Sequence, residues 1–432
     1  MTLHADALTI WHAAVEAVRP EPLVIAAVEK LRPLLESAPT IRVVGCGKAG
    51  AAMAVGVEAA LADLMGRVAG WVNVPEGFTA TTQSIHLHPA RPVGRNAPTQ
   101  AGIDGACAMA KLLADAGPDD IALGLISGGG SALMPWPVEG VSLADKLAVT
   151  ELLAGSGASI GEMNAVRKHL SRVKGGRLAE GFRGKRFVTL IISDVVGDPL
   201  DVIASGPTTP DPTTYADALA VLDRYDLRSR TPVSVVGHLE RGRRGELPET
   251  PKVLPATVEN RLIGTNALAL AAATRTAERL GFRVVSLGSA VEGETADVAR
   301  RHAAIVRTLP PRTCLLSGGE TTVTLGRHPG KGGRNQEYAL AMALALGDTP
   351  NVLTLSAGTD GEDGPTDAAG AIADADTLRR GTDAVGHLAR HNAYPFFDAA
   401  GGLLRTGLTG TNVMDVRVTL VGSAAGAASG GR

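Results

Sequence analysis

Short apolar runs along this chain end repeatedly in glycine-rich or acidic turns. Ile41-Arg-Val-Val44 is followed at once by Gly45-Cys-Gly-Lys-Ala-Gly50 and an alanine-rich helical stretch. Ile121-Ala-Leu-Gly-Leu-Ile126 leads into Ser127-Gly-Gly-Gly-Ser131, and Phe187-Val-Thr-Leu-Ile-Ile192 into Ser193-Asp-Val-Val-Gly-Asp-Pro199. Continuous apolar runs of this length are the pattern of strands buried on both faces, with helices between them. The first half therefore predicts a parallel α/β layer structure. Ahead of it, Leu8, Trp11, Val15 and Val18 recur at helical spacing. A second helix is predicted from about Leu23 to Leu31, bounded by Pro20 and Pro22 on one side and Pro33 on the other. Arg228 to Thr257 carries four prolines and the basic cluster Arg241-Gly-Arg-Arg244, and reads as an exposed linker or excursion. The rhythm then resumes. A helix is predicted from Asn266 to Leu280 and a strand over Phe282–Leu287. Thr313-Cys-Leu-Leu316 leads into Ser317-Gly-Gly-Glu-Thr321, and Asn351-Val-Leu-Thr-Leu355 into Ser356-Ala-Gly-Thr-Asp-Gly-Glu-Asp-Gly364. Two α/β domains are expected, over residues 1–235 and 258–425.

Composition narrows the class. The chain has 432 residues, 45% hydrophobic and 20% charged, which is globular and long enough for two or three domains at roughly 150 residues each. The net charge of −2 leaves no basic surplus to drive binding to nucleic-acid phosphates. No apolar run approaches the ~18 residues of a membrane span, and the N-terminus lacks a basic n-region and an apolar h-region. Cys46, Cys107 and Cys314 are far apart and odd in number, unsuited to a disulfide framework or a cysteine zinc site. A soluble, cytoplasmic protein of a reducing compartment is expected. Glycine is abundant, 53 of 432 residues, against a usual ~7%. Apart from the tail from Ser423, expected to fray, the glycines cluster after apolar runs, where backbone N–H groups can approach a ligand.

The turns carry the candidate chemistry. Gly45-x-Gly-x-x-Gly50 matches the dinucleotide fingerprint in form. The acid that the fingerprint requires after the second strand, predicted over Gly70–Val74, has only Glu76 as a poor match. Lys48 inside that turn is either a solvated lysine or a cation meeting phosphate or carboxylate directly. Ser127, Gly128, Gly129, Gly130 and Ser131 can turn several donors toward one anion, or form a simple tight turn. No Gly-Lys-[Ser/Thr] follows, so this is not a Walker-type loop. Asp194 and Asp198 follow a buried strand, where a carboxylate can hold Mg²⁺ or accept a proton from an attacking hydroxyl, or cap a helix. The same holds for Asp360, Glu362, Asp363 and Asp367. Glu320 is either a metal ligand or an ordinary loop residue. In Arg327-His-Pro-Gly-Lys-Gly-Gly-Arg-Asn-Gln-Glu337, Lys331 and Arg334 flank glycines just before a helix predicted to start at Asn335, a plausible anion clamp on a mobile loop. His86 and His88 alternate on a predicted strand and are read as structural.

These segments stand in order with others: Met163-Asn-Ala-Val-Arg-Lys-His169, Lys174-Gly-Gly-Arg-Leu178, Ala204-Ser-Gly-Pro207, Gly332-Gly-Arg-Asn-Gln-Glu337 and Thr359-Asp-Gly361. Together they resemble the glycerate 2-kinases of the MOFRL type over nearly the whole chain, to about Val421. The resemblance implies ATP-dependent phosphorylation of (R)-glycerate at O2, giving 2-phosphoglycerate, by a protein with a Rossmann-like first domain and an active site in the interdomain cleft. Some members carry an older label as hydroxypyruvate reductases, which keeps an NAD(P)H-dependent reductase as the alternative. Lys48 matches the family's turn lysine, Asp194 its Ser-Asp-Val aspartate and Arg334 its Gly-Gly-Arg-Asn arginine, the expected catalytic set. Gly47, Ser127–Ser131, Gly318, Gly319 and Asn335 are expected to bind substrate or nucleotide. Asp194, Glu320 and Asp360 are expected to hold Mg²⁺ or another divalent cation. Glycerate and ATP are the expected partners, with no nucleic acid and no membrane, and a homodimer is left possible. Two stretches depart from the family pattern: Leu87-His-Pro-Ala-Arg91 for Gly-His-Pro-x-Pro, and Thr406-Gly-Leu-Thr-Gly-Thr-Asn412 for Thr-Gly-Pro-Thr-x-Thr-Asn.

Overall fold

The structure is a computed structural model that describes residues 2–92 and 97–423; the end of the tail from Ser423 lies outside them. The chain divides into two compact units. The N-terminal unit comprises Pro20–Ser193 and Asp198–Ile263, and the C-terminal unit Met1–Arg19, Asp194–Gly197 and Gly264–Arg432.

The first sheet has six strands: β1 (Ile41–Cys46), β2 (Val68–Pro75), β3 (Ile85–Arg91), β4 (Ile121–Ile126), β5 (Arg186–Ile192) and β6 (Val258–Gly264). Their order is β3-β2-β1-β4-β5-β6, that of doubly wound sheets. The pairings of β1 with β2 and β4, of β2 with β3 and of β4 with β5 are parallel. β4 is buried at every position, the physical reason its sequence does not alternate. The register sets Ile41 beside both Val68 and Ile121. The carboxyl ends of β1 and β4, Cys46 and Ile126, thus come level, and so do the turns that follow them.

Two local expectations are corrected in this unit. The second helix runs from Pro20 to Glu36 and contains Pro33; Pro20 opens it, where a missing N–H costs nothing. The proline-rich excursion holds a helix, Val233–Arg243. Its Val235 and Leu239 are buried in a core cluster with Val149, Val166, Tyr215 and Leu219, so the stretch is built into the unit.

The second sheet comprises β7 (Arg283–Ser286), β8 (Thr313–Gly319), β9 (Val352–Gly358), β10 (Gly370–Asp374), β11 (Leu403–Leu404) and β12 (Asp415–Val421). Its order is β11-β10-β9-β12-β8-β7, and it is mixed rather than largely parallel. β12 pairs antiparallel with both β8 and β9, β10 pairs antiparallel with β9 and β11, and β7 with β8 is parallel. The last strand therefore fills the centre of this sheet. The helix Leu3–Glu16 belongs to the same unit. It packs against the helix Asn266–Arg279 and β12, burying Trp11 completely. No helix among the described residues is long and apolar enough to cross a membrane. Cys46, Cys107 and Cys314 are free thiols, and burial pushes the Cys46 thiol up to about 12.

Candidate active site

In the N-terminal unit the turns after β1 and β4 are stitched together. Lys48 donates its backbone N–H to the Gly128 carbonyl at 2.8 Å, and Ser127 donates to the Cys46 carbonyl at 3.1 Å. The Ala49 N–H reaches Ser127 Oγ at 3.1 Å. Gly47 has φ +146°, and a Cβ there would lie 2.0 Å from Ser127 Oγ and 2.8 Å from its carbonyl oxygen. That glycine is required by the close approach of the two turns. Gly47→Ala is expected to lower stability by about 1–3 kcal/mol, read as a drop in Tm or denaturation midpoint. Gly50 lies against Val72 and Gly45 against the Leu125 backbone, so packing accounts for all three fingerprint glycines. Where a dinucleotide site would want an acid near the end of β2, buried Asn73 donates to the carbonyls of Leu133 (2.8 Å) and Gly102 (3.3 Å).

Cations collect around the second turn. Gly129 adopts φ +75°, and a Cβ there would lie 3.4 Å from Arg91 Nη2 and 3.6 Å from Lys48 Cγ. Ser131 follows, in the short helix Gly130–Leu133. Its Oγ accepts from Arg167 Nη2 and, at 3.0 Å, from Lys174 Nζ, which also donates to the Ser131 carbonyl at 2.9 Å. With both acceptor directions used, the hydroxyl proton is left to point at Ser205 Oγ, 2.9 Å away. Ser205 in turn donates to Asn164 Oδ1 at 3.0 Å. Lys146, buried nearby, donates to the Pro135 carbonyl at 3.2 Å. Among the described residues no carboxylate is ion-paired with Lys146, Arg167 or Lys174, whereas Lys168 has both Asp201 (3.1 Å) and Asp211 (3.3 Å). Burial, with Arg167 adding to it, brings Lys174 down to about 7, against a small opposing pull from the Cys46 thiol. Burial, with Lys174, Arg167 and Arg177 adding to it, holds Lys146 well below the usual lysine range.

The C-terminal unit holds the opposite arrangement, carboxylates clasping an arginine. Arg334 is the first residue of the helix Arg334–Leu346. Its Nε and Nη2 donate to the two carboxylate oxygens of Asp415 at 2.8 and 3.0 Å, and its Nη1 lies 2.8 Å from Glu320 Oε1. Asp415, wholly buried at the start of β12, also accepts from Asn335 Nδ2 at 2.8 Å and from Arg417 Nη2 at 3.1 Å. Arg417 is 1% exposed, lies over the Tyr338 ring and donates to Thr321 Oγ1 at 3.2 Å. Burial opposes the charge on Arg334, but Asp415 and then Glu320 outweigh it and fix the guanidinium as a cation. Burial raises Glu320 above the usual carboxylate range; Arg334 pulls the other way, while Asp415 and Asp360 add to the rise.

This corrects the picture of a mobile cationic loop at an open helix N-terminus. The N–H groups of Asn335 and Gln336 are taken by the buried Asp363 carboxylate at 3.0 and 2.9 Å. Burial, outweighing these donors, raises Asp363 to about 6. Lys331 lies 3.9 Å above the Tyr394 ring, its N–H held by Asn392 Oδ1 at 2.9 Å. Gly318 and Gly319 are strand residues that end β8, paired with Val416 and Asp415. A Cβ on Gly318 would meet Asn266 Oδ1 at 1.7 Å, and one on Gly319 the Val291 backbone at 2.5 Å. Packing thus accounts for the second glycine run, and its likeness to the first does not extend to conformation. Asp194, half-buried, belongs with Val195–Gly197 to the C-terminal unit. Asp360 accepts the Glu362 N–H at 3.1 Å. Among the described residues no group of three or more His, Cys, Asp or Glu side chains is placed to hold a metal ion by itself. His88 donates its Nε2–H to the Ala101 carbonyl at 2.9 Å, and both His86 and His88 lie against Trp71, a structural setting. Asp415, Arg417, Arg167 and Lys174 were not singled out as site residues from sequence. The basic residues of 163–178, with no acid of their own to pair Arg167 or Lys174, were the available signal.

Residues 6–240 match a family model described as a domain of unknown function (DUF4147), and residues 313–415 match the MOFRL family model. The chain is 43% identical to a glycerate 2-kinase of Pyrococcus horikoshii over 89% of its own length and 88% of the relative's. It is 37% identical to human glycerate kinase, covering 97% and 93%. A putative hydroxypyruvate reductase of Agrobacterium vitis is 42% identical, covering 88% and 87%. The crystal structure of glycerate kinase from Thermotoga maritima superposes with a TM-score of 0.85 at 37% identity, covering 97% of this chain and 99% of that one. At this identity, over nearly the full length of both partners, the chain belongs to the glycerate 2-kinase family of the MOFRL type.

Proposed function

We propose that this protein transfers the γ-phosphoryl group of ATP to the 2-hydroxyl of (R)-glycerate, giving 2-phosphoglycerate and ADP. The observation that carries the reading is the kinship with glycerate kinases over nearly the whole chain. The cation-rich turns after β1 and β4 support it, since ligands of open parallel sheets bind beyond the strands' carboxyl ends. Phosphoryl transfer demands little covalent work from the protein; it demands positioning and charge compensation. Lys48 stabilises charge on the transferring phosphoryl group or on the glycerate carboxylate. Arg334 compensates charge on the phosphoryl oxygens. Asp194 accepts the proton of the 2-hydroxyl as its oxygen bonds to phosphorus and the bond to the ADP oxygen breaks. Gly47 and Ser127–Ser131 shape the ligand surface, and buried Asn335, its amide held by Asp363, Asp415 and Ser356, supports Asp415 beside Arg334 rather than meeting the ligand.

The donors available for a metal are hard carboxylate oxygens, as Mg²⁺ prefers. An ion carried in on the nucleotide needs only one or two of them, the phosphates and water supplying the rest. Asp194, Glu320 and Asp360 are the residues that would hold it, and Mg²⁺ would neutralise phosphate charge. The decisive assay is purified protein with Mg-ATP and (R)-glycerate, the 2- and 3-phosphoglycerates resolved, beside NAD(P)H with hydroxypyruvate. Formation of 2-phosphoglycerate is the expected result. Oxidation of NAD(P)H without any phosphorylated product overturns the kinase and establishes the reductase.

Lys48→Ala is expected to lower kcat about a hundredfold, since loss of one electrostatic contact to the transition state costs ~3 kcal/mol, with a thermal melt beside it to show that the variant is folded. A kcat within roughly threefold of wild type, far short of that loss, returns Lys48 to the role of a solvated turn residue.

A further inference from the structure

Two basic segments of the N-terminal unit, around residues 163–169 and 174–178, are not used by the mechanism above. They converge on one side chain, Ser131, across 36 and 43 residues of chain. Arg167 approaches its Oγ from the helix Ile160–His169, and Lys174, 1% exposed, donates to it at 3.0 Å. Neither is ion-paired with a carboxylate among the described residues, although the adjacent Lys168 has two. Burying positive charge without a counter-ion is costly. A fold that spends acids on Lys168 and none on its neighbours leaves a place for an anion that arrives from outside. Arg167 and Ser131 are half-buried and so remain open to one.

We propose that Arg167, anchored on the Ser131 hydroxyl that Lys174 also holds, forms an oxyanion subsite in the N-terminal unit, which takes a carboxylate or a phosphoryl group of a small substrate. The two sources follow from the kinase reading, on which this assignment of ligands rests: the carboxylate of glycerate and the phosphates of ATP. Arg167 presents a planar fork to the oxyanion. Lys174 acts through Ser131 as a positioning residue, holding its carbonyl and hydroxyl.

The subsite has a protonic signature. The groups that face Lys174 are Arg167 and the Cys46 thiol, and Lys174 with Arg167 and Arg177 faces Lys146. Burial draws Lys174 down to about 7, so it is expected to lose much of its charge by pH 8. An incoming anion favours the charged form, so the affinity of Lys174 for its proton rises and binding takes one up. Affinity accordingly falls as pH rises from about 7 toward the higher value of the complex, by at most about tenfold per pH unit.

Titration calorimetry at pH 8, in two buffers of different ionisation enthalpy, measures that uptake for sulfate, (R)-glycerate and ATP separately. Sulfate is included because its own protonation does not change in this range. The wild type is expected to take up most of a proton with sulfate and with whichever substrate carries the occupying group. Lys174→Met is expected to abolish the uptake and flatten the pH profile of affinity, and Arg167→Gln to weaken the same ligand at least tenfold. Uptake with glycerate assigns the subsite to the carboxylate, and uptake with ATP assigns it to a phosphoryl group. Uptake with sulfate alone, with neither substrate bound by the wild type, keeps the subsite and refutes the kinase reading. Folded variants that bind all three probes like the wild type, with unchanged proton uptake, overturn the proposal.

Discussion

Asp415→Ala is expected to be the most destabilising single substitution considered for this protein, costing ~3–5 kcal/mol, as breaking a buried ion pair from one side typically does. Asp415 is fully buried, and three residues direct donors at its two oxygens: Arg334, Asn335 and Arg417. Alanine would leave Arg417 as a charge sealed in the interior with only Thr321 Oγ1 as a side-chain acceptor. It would also leave the Asn335 amide with only Asp363 to receive it, at 3.3 Å. In a unit of this size each kcal/mol lowers Tm by roughly 2–4 °C, so a fall of about 6–20 °C is expected in calorimetry. Asp415→Asn keeps the shape and one acceptor oxygen and should fall between. If both variants melt within about 2 °C of wild type, well under the fall that a broken buried pair implies, the cluster orients side chains without stabilising the fold.

That cluster also marks the boundary of what the sequence makes legible. β1, β4 and β5 are apolar runs ended by turns, which local pattern alone reveals, whereas β6 carries Glu259, Asn260 and Arg261 and gives no such signal. The turns after β1 and β4 were visible for the same reason, because a buried strand that stops at Gly45-Cys-Gly-Lys48 or Ser127-Gly-Gly-Gly-Ser131 announces its own carboxyl end. The C-terminal unit withholds more. β10, Gly370–Asp374, is small and alanine-rich, and gives no β-branched signal of its own. β12 alternates as a strand should, but nothing local says that it enters between β8 and β9. Once it does, Asp415 comes to lie beside a residue 81 positions earlier, and Gly318 and Gly319 change from a loop into a paired strand. The helix N-terminus at Arg334 reads as an open anion site for the same reason: the capping carboxylate, Asp363, comes from 28 residues downstream. The partnership of Ser131 with Arg167 and Lys174 is likewise a product of folding rather than of spacing.

Arg334 is the side chain on which the structure most changes the expected mechanism. A cation on a glycine loop would have to be ordered by the nucleotide, and its contribution would be divided between binding and turnover. Here the guanidinium is already fixed by Asp415 on two nitrogens and by Glu320 on the third, with about a third of its surface, 32%, left exposed. Its orientation is set during folding, so little reorganisation is needed when charge develops on the phosphoryl oxygens. Comparable arginines in phosphoryl transfer contribute a factor of about 10³ or more to kcat. Arg334→Ala is therefore expected to lower kcat about a thousandfold while changing the KM for ATP much less, the pattern of a contact made chiefly in the transition state. Because alanine also strips Asp415 and Glu320 of their partner, Arg334→Lys is the companion variant. It keeps a charge near Asp415 but cannot reproduce the two-point contact, so it should restore most of the lost stability and little of the lost turnover. Steady-state kinetics beside a thermal melt separates the two effects. A raised KM for ATP with kcat intact in Arg334→Lys would make Arg334 a ground-state nucleotide ligand, and recovery of kcat in step with Tm would make it a structural residue of the Asp415 cluster.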